Sequence, residues 1–132
     1  MNLLLDTHIW LWIHREPWKL SSEINQAMAD PSNDLWLSPV SVWEFVVLLE
    51  KKRVMLSEEM NLWVEKSRKE LSLREAPFSW AVADELRYTI LDQRDPIDRI
   101  LAATAKAYDL TLVTADERLM KPIPGLSVLA NR

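Results

Sequence analysis

The feature that most constrains the fold is an alternation of short apolar runs with longer segments of helical periodicity. Leu3-Leu4-Leu5 is a brief continuous apolar run, the pattern of a strand buried on both faces of a parallel sheet. Leu35-Trp36-Leu37 and Leu110-Thr111-Leu112-Val113-Thr114 read as further strands, and a last one is expected near Ser127-Leu129. Between them, a helix is expected from Thr7 to about His14. A second, capped by Ser21 or Ser22, runs to about Asp30, where Pro31 and Asn33 turn the chain. Ser38-Pro39 suits a helix start, since serine accepts from orphan amides and proline fits the first helical position. That helix runs through Val40, Trp43, Val46 and Val47 to about Lys52. Others are expected over Ser57 to Leu71 and Ser79 to about Thr89. Asp95-Pro96 opens the clearest helix, with Ile97, Ile100, Leu101, Thr104, Ala107 and Tyr108 on one stripe. A short helical turn should follow Thr114. The expected class is therefore α/β, a mainly parallel sheet flanked by helices.

Length and composition narrow the function classes. At 132 residues the chain suits one compact domain over its full length, 1–132, with no repeat or long linker. Apolar residues at 48% and charged residues at 27% match a globular protein and argue against disorder. Five of the seven tryptophans, Trp10, Trp12, Trp36, Trp43 and Trp63, lie in apolar runs and are expected in the core or an interface. The absence of cysteine excludes disulfides and thiolate metal sites. A single glycine excludes a glycine-rich phosphate loop. No apolar run reaches the roughly 20 residues of a membrane helix, and the N-terminus lacks the basic start of a signal peptide. A cytoplasmic protein is expected. The net charge of −4 gives no general attraction to nucleic acid.

The chemistry-bearing residues are acidic. Ligands of parallel sheets bind beyond the carboxyl ends of the strands; Asp6 directly follows the first strand and Asp116 lies two residues after Thr114. Asp6 also suits the N-cap of the first helix, and Asp116 that of a short turn. Glu44 interrupts a helix apolar on nearly every side, where a carboxylate is costly unless a cation or a set of donors compensates it. A buried salt bridge is the structural alternative. Asp95 precedes Pro96 and suits a cap. Asp98 falls third in that helix, where amide dipoles favour negative charge, close enough to the strand ends to face the same pocket as Asp6. Each acid has a plain structural reading alone. Four on separate elements with one meeting point suit Mg²⁺ or Mn²⁺, hard cations that take oxygen ligands, and phosphodiester hydrolysis uses such ions. His8 and His14, six apart, cannot chelate one ion from a single helix face, and both read as ordinary side chains of the first helix. Arg15, Arg94 and Arg99 are candidates for RNA phosphate contacts.

Four motifs, in order and covering nearly the whole chain, resemble the PIN-domain family and within it the VapC-type toxins of type II toxin–antitoxin systems. They are Leu4-Leu5-Asp6-Thr7-His8, Ser38-Pro39-Val40-Ser41-Val42-Trp43-Glu44, Asp95-Pro96-Ile97-Asp98-Arg99-Ile100-Leu101-Ala102-Ala103 and Leu112-Val113-Thr114-Ala115-Asp116. The resemblance implies a PIN fold and an Mg²⁺- or Mn²⁺-dependent endoribonuclease. It implies Asp6 and Asp98 as principal metal ligands, Glu44 and Asp116 as further ligands or water-orienting acids, and Thr114 as a supporting hydroxyl. Asp98 is favoured over Asp95 as ligand because the cap already gives Asp95 a role. It further implies structured RNA such as tRNA as substrate, a homodimer, and a cognate antitoxin protein as inhibitor. The apolar helix around Phe45-Leu49 could serve the dimer or antitoxin interface as well as the core. Two alternatives of other classes are a receiver-like phosphoacceptor domain and a non-catalytic PIN-like module that only receives an antitoxin. A haloacid-dehalogenase-type phosphatase would need a second aspartate where His8 stands.

Overall fold

The computed structural model describes residues 1–90 and 95–132. The chain runs β1 (Asn2–Leu5), α1 (Thr7–Arg15), α2 (Ser22–Ala29), β2 (Asp34–Leu37), α3 (Pro39–Glu50), α4 (Met60–Glu70), β3 (Arg74–Glu75), α5 (Trp80–Glu85), α6 (Pro96–Ala107), β4 (Thr111–Thr114) and β5 (Ser127–Ala130). Short 3-10 turns cover Pro17–Lys19, Leu86–Tyr88 and Glu117–Leu119. The strands form one sheet in the order β3-β2-β1-β4-β5, with every described pairing parallel. Strand order reverses at β1, which pairs Leu4 with Trp36 on one side and with Leu112 on the other. This switch point opens a crevice beyond the carboxyl ends of β1 and β4.

The triple leucine of β1 explains the two layers. Successive side chains leave a strand on opposite faces. Leu3 and Leu5 enter a core with Ile9, Trp10, Ile24, Leu35, Leu37 and Phe45; Leu4 enters a second with Leu101, Ala105, Leu112 and Leu119. Full burial of one such leucine stabilises by about 1.5–3 kcal/mol, so β1 is held from both sides. In the first core, Trp10 meets Phe45 and Trp63 edge-on at 5.6 and 5.4 Å. Its indole Nε1 donates to Ser67 Oγ at 2.8 Å, and His14 Nε2 meets the same hydroxyl at 2.7 Å. This polar knot joins α1 to α4.

Several boundaries differ from those the sequence suggests. The fourth helix starts at Met60 rather than Ser57. Val54 and Leu56 pack against the first core while Met55 faces out, an alternation that keeps this stretch extended. The helix expected to reach Thr89 ends at Glu85 and tightens into the 3-10 turn; the Leu86 and Thr89 carbonyls accept from Arg99, at 2.7 and 2.9 Å. The edge strand β3 has no apolar signal, since both its residues are charged and exposed. On α6 the buried surface is centred on Leu101-Ala102-Ala103-Thr104-Ala105, with Ile97, Ile100, Ala107 and Tyr108 only half-buried. Consecutive small residues let this helix seat closely over much of its girth. The tryptophans divide: Trp10 is fully buried, whereas Trp43 is 59% exposed. Among the described residues, no helix is long and apolar enough to cross a membrane.

Candidate active site

A pocket of about 250 Å³ opens in the switch-point crevice, lined by Asp6, His8, Trp12, Glu44, Asp95, Asp98, Ala115, Asp116 and Arg118. Each acid arrives for a local reason. Asp6 ends β1, and its backbone starts α1 without a capping bond from its side chain. The carboxylate is instead free to accept from Thr114 Oγ1 at 2.7 Å. That hydroxyl, fully buried at the end of β4, also accepts the Asp116 amide at 3.0 Å. One threonine therefore sets the relative positions of two acids from adjacent strands.

Asp95 caps α6, with Oδ1 accepting the Ile97 amide at 3.0 Å, as its place before Pro96 suggests; it also lines the pocket. One turn on, Asp98 is buried with its side chain 9% exposed. Glu44 comes from the apolar helix α3. Of that apolar helix only Ser41 and Phe45 are buried, and Val46 to Leu49 are half-covered. Glu44 stands half-buried at the pocket beside the first turn of α1, where Thr7 hydrogen-bonds to it. Of the apolar residues around it, Val42, Phe45, Leu48 and Leu49 join the first core, while Trp43 is left at the surface.

Electrostatics distinguish the four. Burial raises Asp6, against the opposing bond from Thr114. Burial likewise raises Glu44, with the Asp6 charge adding to the effect. Asp98 is pushed up to about 8, by burial first and then by the charges of Asp95, Asp6 and Asp116; a hydrogen bond between the Asp98 and Asp116 carboxyls favours its protonated form. Asp116 is the exception, held below the usual carboxylate range by hydrogen bonds from Arg118. Concentrated carboxylates in a partly dry crevice resist ionising together. A cation would relieve that resistance.

The pocket also holds residues the sequence reading passed over. His8, set aside there as an ordinary helix side chain, lines it and packs edge-on to Trp12 at 6.1 Å between centroids. Arg118 reaches both Asp116 and Asp98. Position was the available signal: each lies two residues beyond a pocket acid. Of the arginines named from sequence, Arg15 and Arg99 do not line the pocket. Arg15 donates to the Met55 carbonyl at 2.8 Å, at the far end of α1, and Arg99 ties down the turn after α5. Arg94 lies outside the described residues.

The donor set is all oxygen among the acids, which fits Mg²⁺ or Mn²⁺ better than softer metals. Among the described residues, no three histidine or acidic side chains are arranged to hold one ion as they stand. Loading would therefore require side-chain rearrangement within the pocket.

Comparison with known proteins agrees with this architecture. The PIN domain family model matches residues 3–123. Ribonuclease VapC22 of Mycobacterium tuberculosis (strain ATCC 25618 / H37Rv) is 30% identical over 119 residues, 89% of each chain. Among solved structures, VapBC2 from Rickettsia felis bound to a promoter DNA fragment superposes with a TM-score of 0.68 at 18% identity over 100% of both chains. DNA-bound VapBC from Salmonella typhimurium gives 0.66 at 20% identity over 98% of both. At such identities these two bear on the fold alone. The sheet order also differs from the 2-1-3-4-5 order of receiver domains, which removes the phosphoacceptor alternative. The chain belongs to the PIN-domain family and is a homologue of a VapC-type ribonuclease.

Proposed function

We propose that this protein is a divalent-metal-dependent endoribonuclease and the toxin of a type II toxin–antitoxin pair. The observation that carries this reading is the convergence of Asp6, Glu44, Asp98 and Asp116, from four separate segments, on one pocket beyond β1 and β4. Asp6 and Asp98 would be the principal ligands of Mg²⁺ or Mn²⁺, with Glu44 and Asp116 completing the site or orienting water. Such an ion supplies Lewis acidity at phosphorus and lowers the pKa of water. Thr114 holds Asp6 in place, Asp95 fixes the start of α6 and hence Asp98, and His8 lines the pocket beside them. The proposed substrate is structured RNA such as tRNA, and the proposed setting is the cytoplasm. A cognate antitoxin protein and a second copy of this chain are the proposed protein partners. Exposed Trp43 and the half-covered apolar face of α3 support a protein interface there.

The test is cleavage of end-labelled RNA by purified protein. Mg²⁺ or Mn²⁺ should support cutting and EDTA should stop it. Asp6→Asn and Asp98→Asn should each lower the rate at least a hundredfold, about 2.7 kcal/mol or more in barrier, while circular dichroism stays unchanged. Wild-type rates from both variants would remove the site assignment. Sequencing the cut ends would identify the target RNA.

A further inference from the structure

Arg118 occupies an unusual place. Its Nε and one Nη lie 3.1 and 2.8 Å from the two oxygens of Asp116, and that same Nη lies 3.4 Å from Asp98 Oδ2. A guanidinium is a planar fork whose geometry matches a carboxylate bidentately. Here the fork grips one acid while touching the next, spanning β4's carboxyl end and the first turn of α6. The Arg118 side chain is 56% exposed, against 9% for Asp98 and 22% for Asp116. The cation thus sits at the mouth, with the acids behind it. Its backbone is well anchored: Asp116 Oδ1 also accepts the Arg118 amide at 2.9 Å, and the next residue, Leu119, is fully buried in the second core. The side chain, in contrast, can swing into solvent without disturbing that anchor.

From this geometry we infer that Arg118 is an internal counter-ion which competes with the divalent cation for the oxygens of Asp98 and Asp116. It neutralises the pocket in the metal-free protein and is displaced on loading. The inference rests on the metal-site reading above, and the experiment separates the two. The same oxygens cannot serve an arginine fork and a metal ion at once. Displaced, the guanidinium remains at the mouth, where a phosphate of the substrate would meet it.

The test reads metal binding rather than cleavage. Mn²⁺ affinity is measured by electron paramagnetic resonance for wild type and for Arg118→Gln, with near-ultraviolet circular dichroism of the tryptophans as the fold control. In parallel, the ¹⁵N-labelled Arg118 Nε–H resonance of the wild type is followed through a Mg²⁺ titration. Arg118→Gln should bind Mn²⁺ about tenfold more tightly, the scale of losing one charge-assisted contact to the ligands. In the wild type, the Arg118 resonance should shift, with faster proton exchange, in step with Mg²⁺ saturation. Equal affinities, or a resonance unmoved at saturation, overturn the inference while leaving the metal site standing. The resonance also separates true displacement from a mere change in local charge. If neither protein binds Mn²⁺, the metal-site reading fails and the inference with it.

Discussion

Thr114 shows how much one hydroxyl can organise. It donates to Asp6 and accepts from the Asp116 amide, both inside the crevice. Thr114→Val keeps the shape and suits a strand, but leaves a buried acceptor and an amide without that partner. The expected cost is about 1–3 kcal/mol, read as a lower urea midpoint with unchanged m-value. Asp98, with Asp6 and Glu44 raised in the same direction, shapes the pH response. Its folded value of about 8 lies above the ordinary 3.8, so between these the folded state holds a proton that the unfolded chain has released. Stability from this group therefore falls as pH rises from about 4 to 8. Asp116 has the opposite sign, but its lowered value places its loss of stability on the acid side of that window. In EDTA, wild-type thermal midpoints should decline from pH 5 to pH 8. Asp98→Asn should flatten that decline, and an unchanged slope would refute the assignment.

Helix ends and shared hydroxyls decide whether the elements hold their positions. Asp95→Ala removes the side-chain cap at the start of α6. It should cost about 1 kcal/mol by chemical denaturation, and should weaken Mn²⁺ binding more than that figure alone suggests, because the first turn carries Asp98. Ser67→Ala strips the acceptor from the Trp10 indole between α1 and α4. A loss of about 1–3 kcal/mol is expected, with a red-shifted tryptophan emission as the local reporter. These elements also show what the sequence can and cannot disclose. The strand cores, Ser38-Pro39 and Asp95-Pro96 were legible because apolar runs and caps are local signals. Edge strand β3 was not, because Arg74 and Glu75 are there through pairing with Trp36 and Leu37 rather than through their own preference. Glu44 stood out because its helix is apolar: Phe45, Val42, Leu48 and Leu49 join the first core, and burial raises the Glu44 carboxyl, although Trp43 is left at the surface. Arg118 went unread and His8 was set aside, although each lies two residues beyond a pocket acid, because charge complementarity across a crevice leaves no periodic trace.

Across the whole molecule, the pocket depends on closure of a sheet whose central strand is formed first in the chain. Asp6 and the hydroxyl that holds it are 108 residues apart in sequence, and β4 enters the sheet beside β1 only after α6 has crossed the second core. During translation this imposes an order of events. A nascent chain that has emerged only as far as α5 displays Asp6 and Glu44 but neither Asp98, Thr114 nor Asp116. It also cannot cover the Leu4 face of its first strand. Whatever chemistry the pocket performs is therefore withheld from ribosome-bound and prematurely terminated chains, and begins only when β4 docks. The pocket is thus completed late in synthesis, which leaves an interval for a partner to reach the chain.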